Sequence, residues 1–371
     1  SSLRKTDVKG LYIHIPFCLS KCSYCSFYSF AASEAMKDEY LSSLLSHIDD
    51  WGKKEKFFFD SVYFGGGTPS VFGGERLFKV LSKVKESFSL SPDCEITVEV
   101  NPSSASEELF SFLKKGGVNR ISMGVQSAIT KERKAIGRNS DCNQVKAALS
   151  LCKKFGIENT SLDLMLGLPF QTKESLEESL SFIIESKTKH VSAYMLKLEE
   201  GTPLFERKNA LPLPDEDEVC DMYFQVCKTL FENGFEHYEI SNFARPGFQS
   251  RHNNKYWLCE EYLGLGPSAH SFLDGKRFYY ESDLNAFLKN SPPVSDGFGG
   301  DEEEFVMLAL RLSRGLFFDE YEKRFSKNYP KEKVEKARKL QNYGLLNVDE
   351  KKICLSEKGF LLSNSVIAEL C

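Results

Sequence analysis

The sequence predicts an α/β protein built on a parallel sheet, followed by a small C-terminal domain. Two observations carry this. Short apolar, β-rich runs at 10–17, 61–64, 95–100, 120–126, 161–166 and 191–198 are each followed by apolar residues at helical spacing. Strands that alternate with helices pair in parallel, because the crossover helix returns the chain to the same end of the sheet. The polar and unusual residues also fall just after those runs, where parallel α/β folds keep their active sites. Six strand–helix units are too few for a closed eight-unit barrel. An open partial barrel and a doubly wound sheet both fit.

The helical segments between the runs are 33–51, 75–88, 106–115, 143–155 and 172–186. The first carries Leu41, Leu44, Leu45 and Ile48 on one face. Pro102 with Ser103, Ser104 and Ser106 reads as a turn and helix cap. Leu211-Pro212-Leu213-Pro214-Asp215 is a breaker, and 216–233 reads as a helix. The stretch to about residue 290 reads as aromatic and irregular. The segment 291–300 (SPPVSDGFGG) reads as a linker. Beyond it, helices at 301–314 and 331–343, with a hairpin at 344–348 and 352–355, suggest a winged-helix-like unit. The expected division is 1–215, 216–290 and 291–371.

Composition bounds the function. The chain has 371 residues, a hydrophobic share of 41% and a charged share of 27%, ordinary for a globular protein with a large core. No apolar run approaches the roughly 18 residues of a membrane helix. The N-terminus carries no apolar signal core, so a cytoplasmic protein is expected. A net charge of −5 argues against non-specific nucleic-acid binding. The 11 cysteines then suggest reduced thiols, with any cluster pointing to metal or catalysis.

Cys18, Cys22 and Cys25 form C-x3-C-x2-C directly after the first run. Three thiolates on one short loop can wrap a soft metal centre. Tetrahedral zinc needs a fourth ligand, and neither Cys, Asp nor Glu follows closely; position 27 is Phe. A [4Fe–4S] cluster with one open iron fits three ligands, whereas a zinc loop completed from afar, or three structural thiols, would also account for them. Phe17, Tyr24 and Phe27 are expected to keep water from the centre. The other eight cysteines lack metal-site spacing and read mostly as buried hydrophobes.

Tyr12-Ile13-His14-Ile15-Pro16-Phe17-Cys18, continuing to Cys22-Ser23-Tyr24-Cys25, resembles the radical S-adenosylmethionine (radical-SAM) superfamily. Within it, the chain resembles the oxygen-independent coproporphyrinogen III oxidase family and its HemW-like heme-chaperone subfamily, over nearly its whole length. The resemblance implies a partial (β/α)6 barrel, then a small mainly helical C-terminal domain. It also implies a [4Fe–4S] cluster on the three cysteines, with SAM on the fourth iron. Gly66, Gly67 and Thr68 of Gly65-Gly66-Gly67-Thr68-Pro69 would hold the methionine part of SAM, and Glu99 its ribose. Gln126, Arg138 and Asp163 match positions that contact a second SAM in the oxidase, and Tyr12 and Tyr24 match SAM-contacting positions. Read from the residues alone, Glu99 and Gln126 are polar strand ends, and Arg138 and Asp163 could simply pair.

A second motif lies downstream. His252, Asn253, Tyr256 and Trp257 form H-N-x-x-Y-W. An imidazole among aromatics is commonly a packed, hydrogen-bonded histidine. Neutral imidazole is also a standard axial ligand of heme iron, and flat aromatics pack against a porphyrin. By resemblance this motif marks the heme chaperones. His270, in Gly266-Pro267-Ser268-Ala269-His270, is a weaker heme candidate. His14 reads as structural and His47 as solvated.

Three functions follow from the resemblance. The first is a carrier that binds heme and passes it to an acceptor protein. The second is the oxidase, which decarboxylates two porphyrinogen propionates by radical chemistry with an electron donor. The third, a radical-SAM enzyme acting on RNA, is disfavoured by the acidic charge. The oxidase resembles C-x3-C-x2-C-x-C, whereas Phe27 stands at the extra cysteine position. The oxidase also carries a long arm before its first strand, whereas the first run here begins at residue 10. Both features, with the H-N-x-x-Y-W motif, favour the carrier and leave reductive SAM cleavage open.

Overall fold

The computed structural model describes residues 8–371. Strands β1 (Val8–Ile15), β2 (Phe58–Gly66), β3 (Ser89–Val100), β4 (Arg120–Gln126), β5 (Asn159–Leu166) and β6 (His190–Met195) pair in sequence order, all parallel. The crossover helices Glu34–Lys54, Gly74–Ser87, Glu107–Gly116 and Cys142–Lys154 pack each on the next. They therefore line one face, which makes the sheet a partial barrel rather than a doubly wound one. Ser33 and Ser106 cap two of these helices, and Asp141 with Gln144 forms a capping box at a third, each cap worth about 1 kcal/mol.

Alternation along the strands assigns the two faces. Leu11, Ile13, Val62, Phe64, Ile121, Met123, Leu162 and Leu164 are fully buried toward the helices, each contributing about 1.5–3 kcal/mol. The residues between them are polar: Tyr12, His14, Ser61, Tyr63, Thr97, Glu99, Ser122 and Asp163. The concave face thus carries the polar side chains, whereas the apolar packing lies on the helix-covered face.

The region expected to be irregular extends this sheet at both edges. β7 (Glu236–Glu239) and β8 (Asn242–Ala244) form a hairpin that joins β6 antiparallel. β9 (Tyr262–Leu265) pairs parallel with β1, then β10 (His270–Leu273) and β11 (Lys276–Tyr279) follow antiparallel. These strands have three or four residues, too few to display a period. The expected linker is likewise a strand, β12 (Val294–Phe298), on the outer edge of β11. Its five residues are all exposed, and an irregular register with Asp296 blunts the edge. Among the described residues the sheet has 12 strands, and its end strands β12 and β7 do not pair.

The C-terminal part runs helix Glu302–Ala309, β13 (Leu316–Phe317), helices Phe318–Phe325 and Lys331–Gln341, then the hairpin β14 (Leu346–Val348) and β15 (Lys352–Leu355). β15 lies between β13 and β14. The first helix ends at Ala309, earlier than the expected 314, and the chain then turns back to β7. There Ile240 N–H donates to Arg311 O and Ser313 N–H to Tyr238 O, at 2.9 and 3.0 Å. One apolar core runs through both parts. His47, expected to be solvated, is buried: its ring stacks on Phe287 at 4.1 Å and hydrogen-bonds Phe287 O. No helix of the described residues is long and apolar enough to cross a membrane.

Candidate functional site

The three cysteines lie on the loop between β1 and the first helix. The loop is closed at its base, where Phe30 N–H donates to Pro16 O at 2.9 Å and Cys18 N–H to Phe30 O at 3.0 Å. Phe17 anchors it, fully buried against Tyr40 and Phe72. Ser23 ties its middle to Ile136 O and Leu204 N–H. Cys18, Cys22 and Cys25 are free and half-buried, and none belongs to the apolar core. Burial, with the neighbouring thiols, pushes the Cys25 thiol up.

The donor set fits a cluster. Three soft thiols line one cavity, and three thiolates are a ligand set that holds a [4Fe–4S] cluster with one iron open. Of the expected shields, Phe17 is fully buried, Tyr24 is half-buried, and Phe27 lines the cavity while 67% exposed.

The glycine run serves a second purpose beyond ligand approach. Gly67 N–H donates to Ile15 O at 2.8 Å and Thr68 N–H to Phe17 O at 2.7 Å. A Cβ on Gly67 would stand 2.7 Å from Phe17 O and 2.9 Å from Phe17 N. Glycine is therefore what lets the end of β2 dock against the cysteine loop. This docking brings Thr68 Oγ1 within 3.5 Å of Cys18 Sγ.

Across the cavity stand the strand-end carboxylates. Tyr63 OH donates to Glu99 Oε1 at 2.8 Å, and burial lifts the Glu99 carboxyl to about 7. Burial also lifts Asp163 to about 6, against hydrogen bonding by Ser192 and the nearby Arg120 and Arg138. Arg138 and Asp163 form no ion pair: Arg138 donates to Gly124 O at 2.7 Å and reaches toward Cys22 Sγ at 3.9 Å. Gln126 is buried in a left-handed conformation, φ 67°, where the β4–β5 register shifts. A Cβ on Gly124 would sit 2.4 Å from Gln126 Nε2 and 2.5 Å from Arg138 Nη2. Cys18, Cys22, Cys25, Tyr24, Gly66, Gly67, Thr68, Glu99, Gln126, Arg138 and Asp163 thus share one cavity of about 440 Å³, a small-ligand size. Sequence reasoning missed Ser122, Tyr194, Lys197 and Glu199, which line it as well. Tyr194 lies near the end of β6 and Lys197 and Glu199 just beyond it, a position that could have been inspected like the other strand ends.

Tyr12 lies in a neighbouring cavity of about 700 Å³, lined also by Tyr28, Tyr256, Tyr262 and His270. Lys21, Ser26, Phe27 and Ser29 of the cysteine loop border both cavities. The H-N-x-x-Y-W residues occupy the short helix Arg251–Trp257, which Ser250 caps. His252 is fully buried, with Nδ1 hydrogen-bonded to Ser61 Oγ at 3.0 Å and Nε2 to Tyr256 OH at 2.9 Å. Burial lowers its pKa to about 3. Asn253 N–H donates to the Ser250 cap, and Trp257 lies under the Arg311 guanidinium at 5.5 Å. His14 is buried, with Tyr12 OH and Tyr28 O on its two nitrogens, as expected of a structural residue. Of the other eight cysteines, Cys94, Cys152, Cys227 and Cys259 are buried, and the other four are only half-buried.

A parallel partial barrel with three cysteines after its first strand and a glycine run after its second defines a radical-SAM protein. The Radical SAM superfamily model matches residues 12–183, and the HemN C-terminal domain model matches residues 302–362. That superfamily implies a [4Fe–4S] cluster and SAM. Among curated proteins the chain is similar to the heme chaperone HemW of Lactococcus lactis subsp. lactis. The identity is 36% over 363 residues, covering 96% of this chain and 95% of that one. It is 32% identical to HemW of Bacillus subtilis over 371 residues, covering 97% and 98% of the two chains. HemW of Escherichia coli is 38% identical over 276 residues, covering 72% and 71%. The chain belongs to the HemW heme-chaperone family. Among solved structures, the E. coli coproporphyrinogen III oxidase HemN shares the fold, with TM-score 0.85 and 22% identity over 98% of this chain and 90% of that one.

Proposed function

We propose that this protein is a heme chaperone that binds heme, passes it to an acceptor protein and carries a SAM-liganded [4Fe–4S] cluster. The observation that carries the reading is the likeness to HemW chaperones along 95% or more of both chains. Cys18, Cys22 and Cys25 would hold the cluster and leave one iron open. Gly66, Gly67 and Thr68 would hold the methionyl end of SAM and Glu99 its ribose, with Tyr24 beside the thiolates. Gln126, Arg138 and Asp163, which are not paired with one another, suit a zwitterionic group of the same kind. Tyr12 supports these residues from the adjoining cavity. The cluster supplies an electron when reduced, so an electron donor is part of the proposal, and 11 free cysteines are consistent with work in a reducing cytoplasm.

Phe27, where the oxidase pattern has a further cysteine, speaks against coproporphyrinogen oxidation. A paired assay tests the reading. Reconstituted protein receives coproporphyrinogen III with SAM and reductant, and separately hemin. The expected result is a protein-bound Soret band with hemin and no protoporphyrinogen. Protoporphyrinogen formation would overturn the reading in favour of the oxidase.

A further inference from the structure

We propose that heme sits in the tyrosine-walled cavity on the outer side of the cysteine loop, with His270 as its axial ligand. The inference rests on the heme-chaperone reading and assigns its cargo a seat.

An axial ligand needs an imidazole nitrogen that is free and faces space large enough for the ring. Three histidines lie near this cavity, and only one meets both conditions. His252 is fully buried, does not line the cavity, and has both nitrogens engaged by Ser61 and Tyr256. To reach iron it would abandon two hydrogen bonds and leave two hydroxyls without partners, at about 1–3 kcal/mol each. His14 lines the cavity, but its nitrogens are taken by Tyr12 OH and the Tyr28 carbonyl. His270 opens β10, is exposed and lines the cavity. Its ring is fixed by stacking on Tyr279, with centroids 5.1 Å apart and planes 25° apart, and it has no hydrogen bond among the described residues. Stacking holds the imidazole plane while leaving its nitrogens available.

The walls suit a flat, largely apolar macrocycle with acidic edges. The volume of about 700 Å³ lies in the range of small-ligand sites. Tyr12, Tyr28, Tyr256 and Tyr262 supply the sides, and aromatic faces are the usual partners of a planar π-system. Phe27, 67% exposed, gains a hydrophobic partner when the cavity fills. Lys21 borders the same space with its ammonium on the Phe27 carbonyl at 2.8 Å, within reach of a carboxylate edge.

This arrangement assigns the H-N-x-x-Y-W motif a different task. Tyr256 is its contact with the cavity, and His252 orients the Tyr256 hydroxyl from beneath. His252 is then a positioning residue and His270 the ligand.

Hemin titration of the full-length protein tests the assignment. His270→Ala is expected to lower hemin affinity at least tenfold and shift the Soret band, and added imidazole should restore the wild-type spectrum. His252→Gln, with its fold checked by circular dichroism, should keep the Soret position and lose no more than about threefold in affinity. Unchanged binding by His270→Ala, or loss of the band in folded His252→Gln, would overturn the seat and leave the chaperone reading standing. A wild-type protein that binds no hemin would overturn both.

Discussion

The cysteine cavity and the H-N-x-x-Y-W helix carry the two strongest motifs of the chain, and they are built in opposite ways. At the cysteine cavity the groups converge and remain open: three thiols are free, and Arg138 and Asp163 share the space without pairing. In the helix the groups are closed: His252 is buried and satisfied on both nitrogens. A buried polar group with all its partners present serves architecture, whereas convergent polar groups with spare capacity serve a ligand. A motif's residue types alone do not distinguish these cases.

The largest effect that would break this contrast is expected at the thiols. Cys22→Ser should lose nearly all iron and sulfide after anaerobic reconstitution, measured by metal analysis. Its melting temperature before reconstitution should match the wild type, because no member of the triad belongs to the apolar core. Global unfolding of that variant would make the centre a structural one. The converse holds for the helix. His252→Ala should lower stability by about 2–4 kcal/mol in denaturant titrations, because the Ser61 and Tyr256 hydroxyls lose their partner in the interior. A variant as stable as the wild type would mean that the helix is no more architectural than the cysteine loop.

The glycine positions sharpen the contrast further. Gly67→Ala forces its Cβ onto the Phe17 backbone, which cannot yield as a side chain would. Displacing the cysteine loop this way should weaken SAM binding on the order of tenfold, about 1.4 kcal/mol, measured by calorimetry. The smallest effect is a pH dependence. The Glu99 carboxyl is lifted to about 7 and Asp163 to about 6 by burial. The folded protein therefore holds protons on these groups that the unfolded chain has released. Their contribution to stability is complete below the ordinary carboxylate range and is lost as pH rises through about 6 to 7. Glu99→Gln should flatten that part of the stability–pH curve; an unaltered slope would place the protonation elsewhere.

How far the sequence could be read follows from the same physics. The six parallel strands were legible because each is long enough to alternate and the first five are each followed by an amphipathic helix before the next strand. The cavity's cysteines, glycines and strand-end polar residues were legible because parallel sheets put chemistry at one end. β7 to β12 were not, since with three to five residues each they are too short to display a period. The 291–300 segment has the Gly and Pro content of a linker, yet an exposed edge strand tolerates both. His47 was misjudged because its partner, Phe287, lies 240 residues away. The motifs of Tyr12 and His252 do not show that Tyr12 stands opposite Tyr63 on the neighbouring strand or that His252 bonds the Ser61 hydroxyl, because both partners lie far away in sequence.

The central claim is that three thiolates hold a cluster whose open iron faces the cavity of Gly66, Gly67, Thr68 and Glu99. Electron paramagnetic resonance of the reconstituted, dithionite-reduced protein, recorded with and without SAM, addresses it most directly. The account predicts a [4Fe–4S]⁺ signal that changes shape and g-values when SAM is added, and no such signal in Cys22→Ser. A cluster signal that SAM leaves unaltered, at concentrations where calorimetry shows it bound, would contradict the open iron.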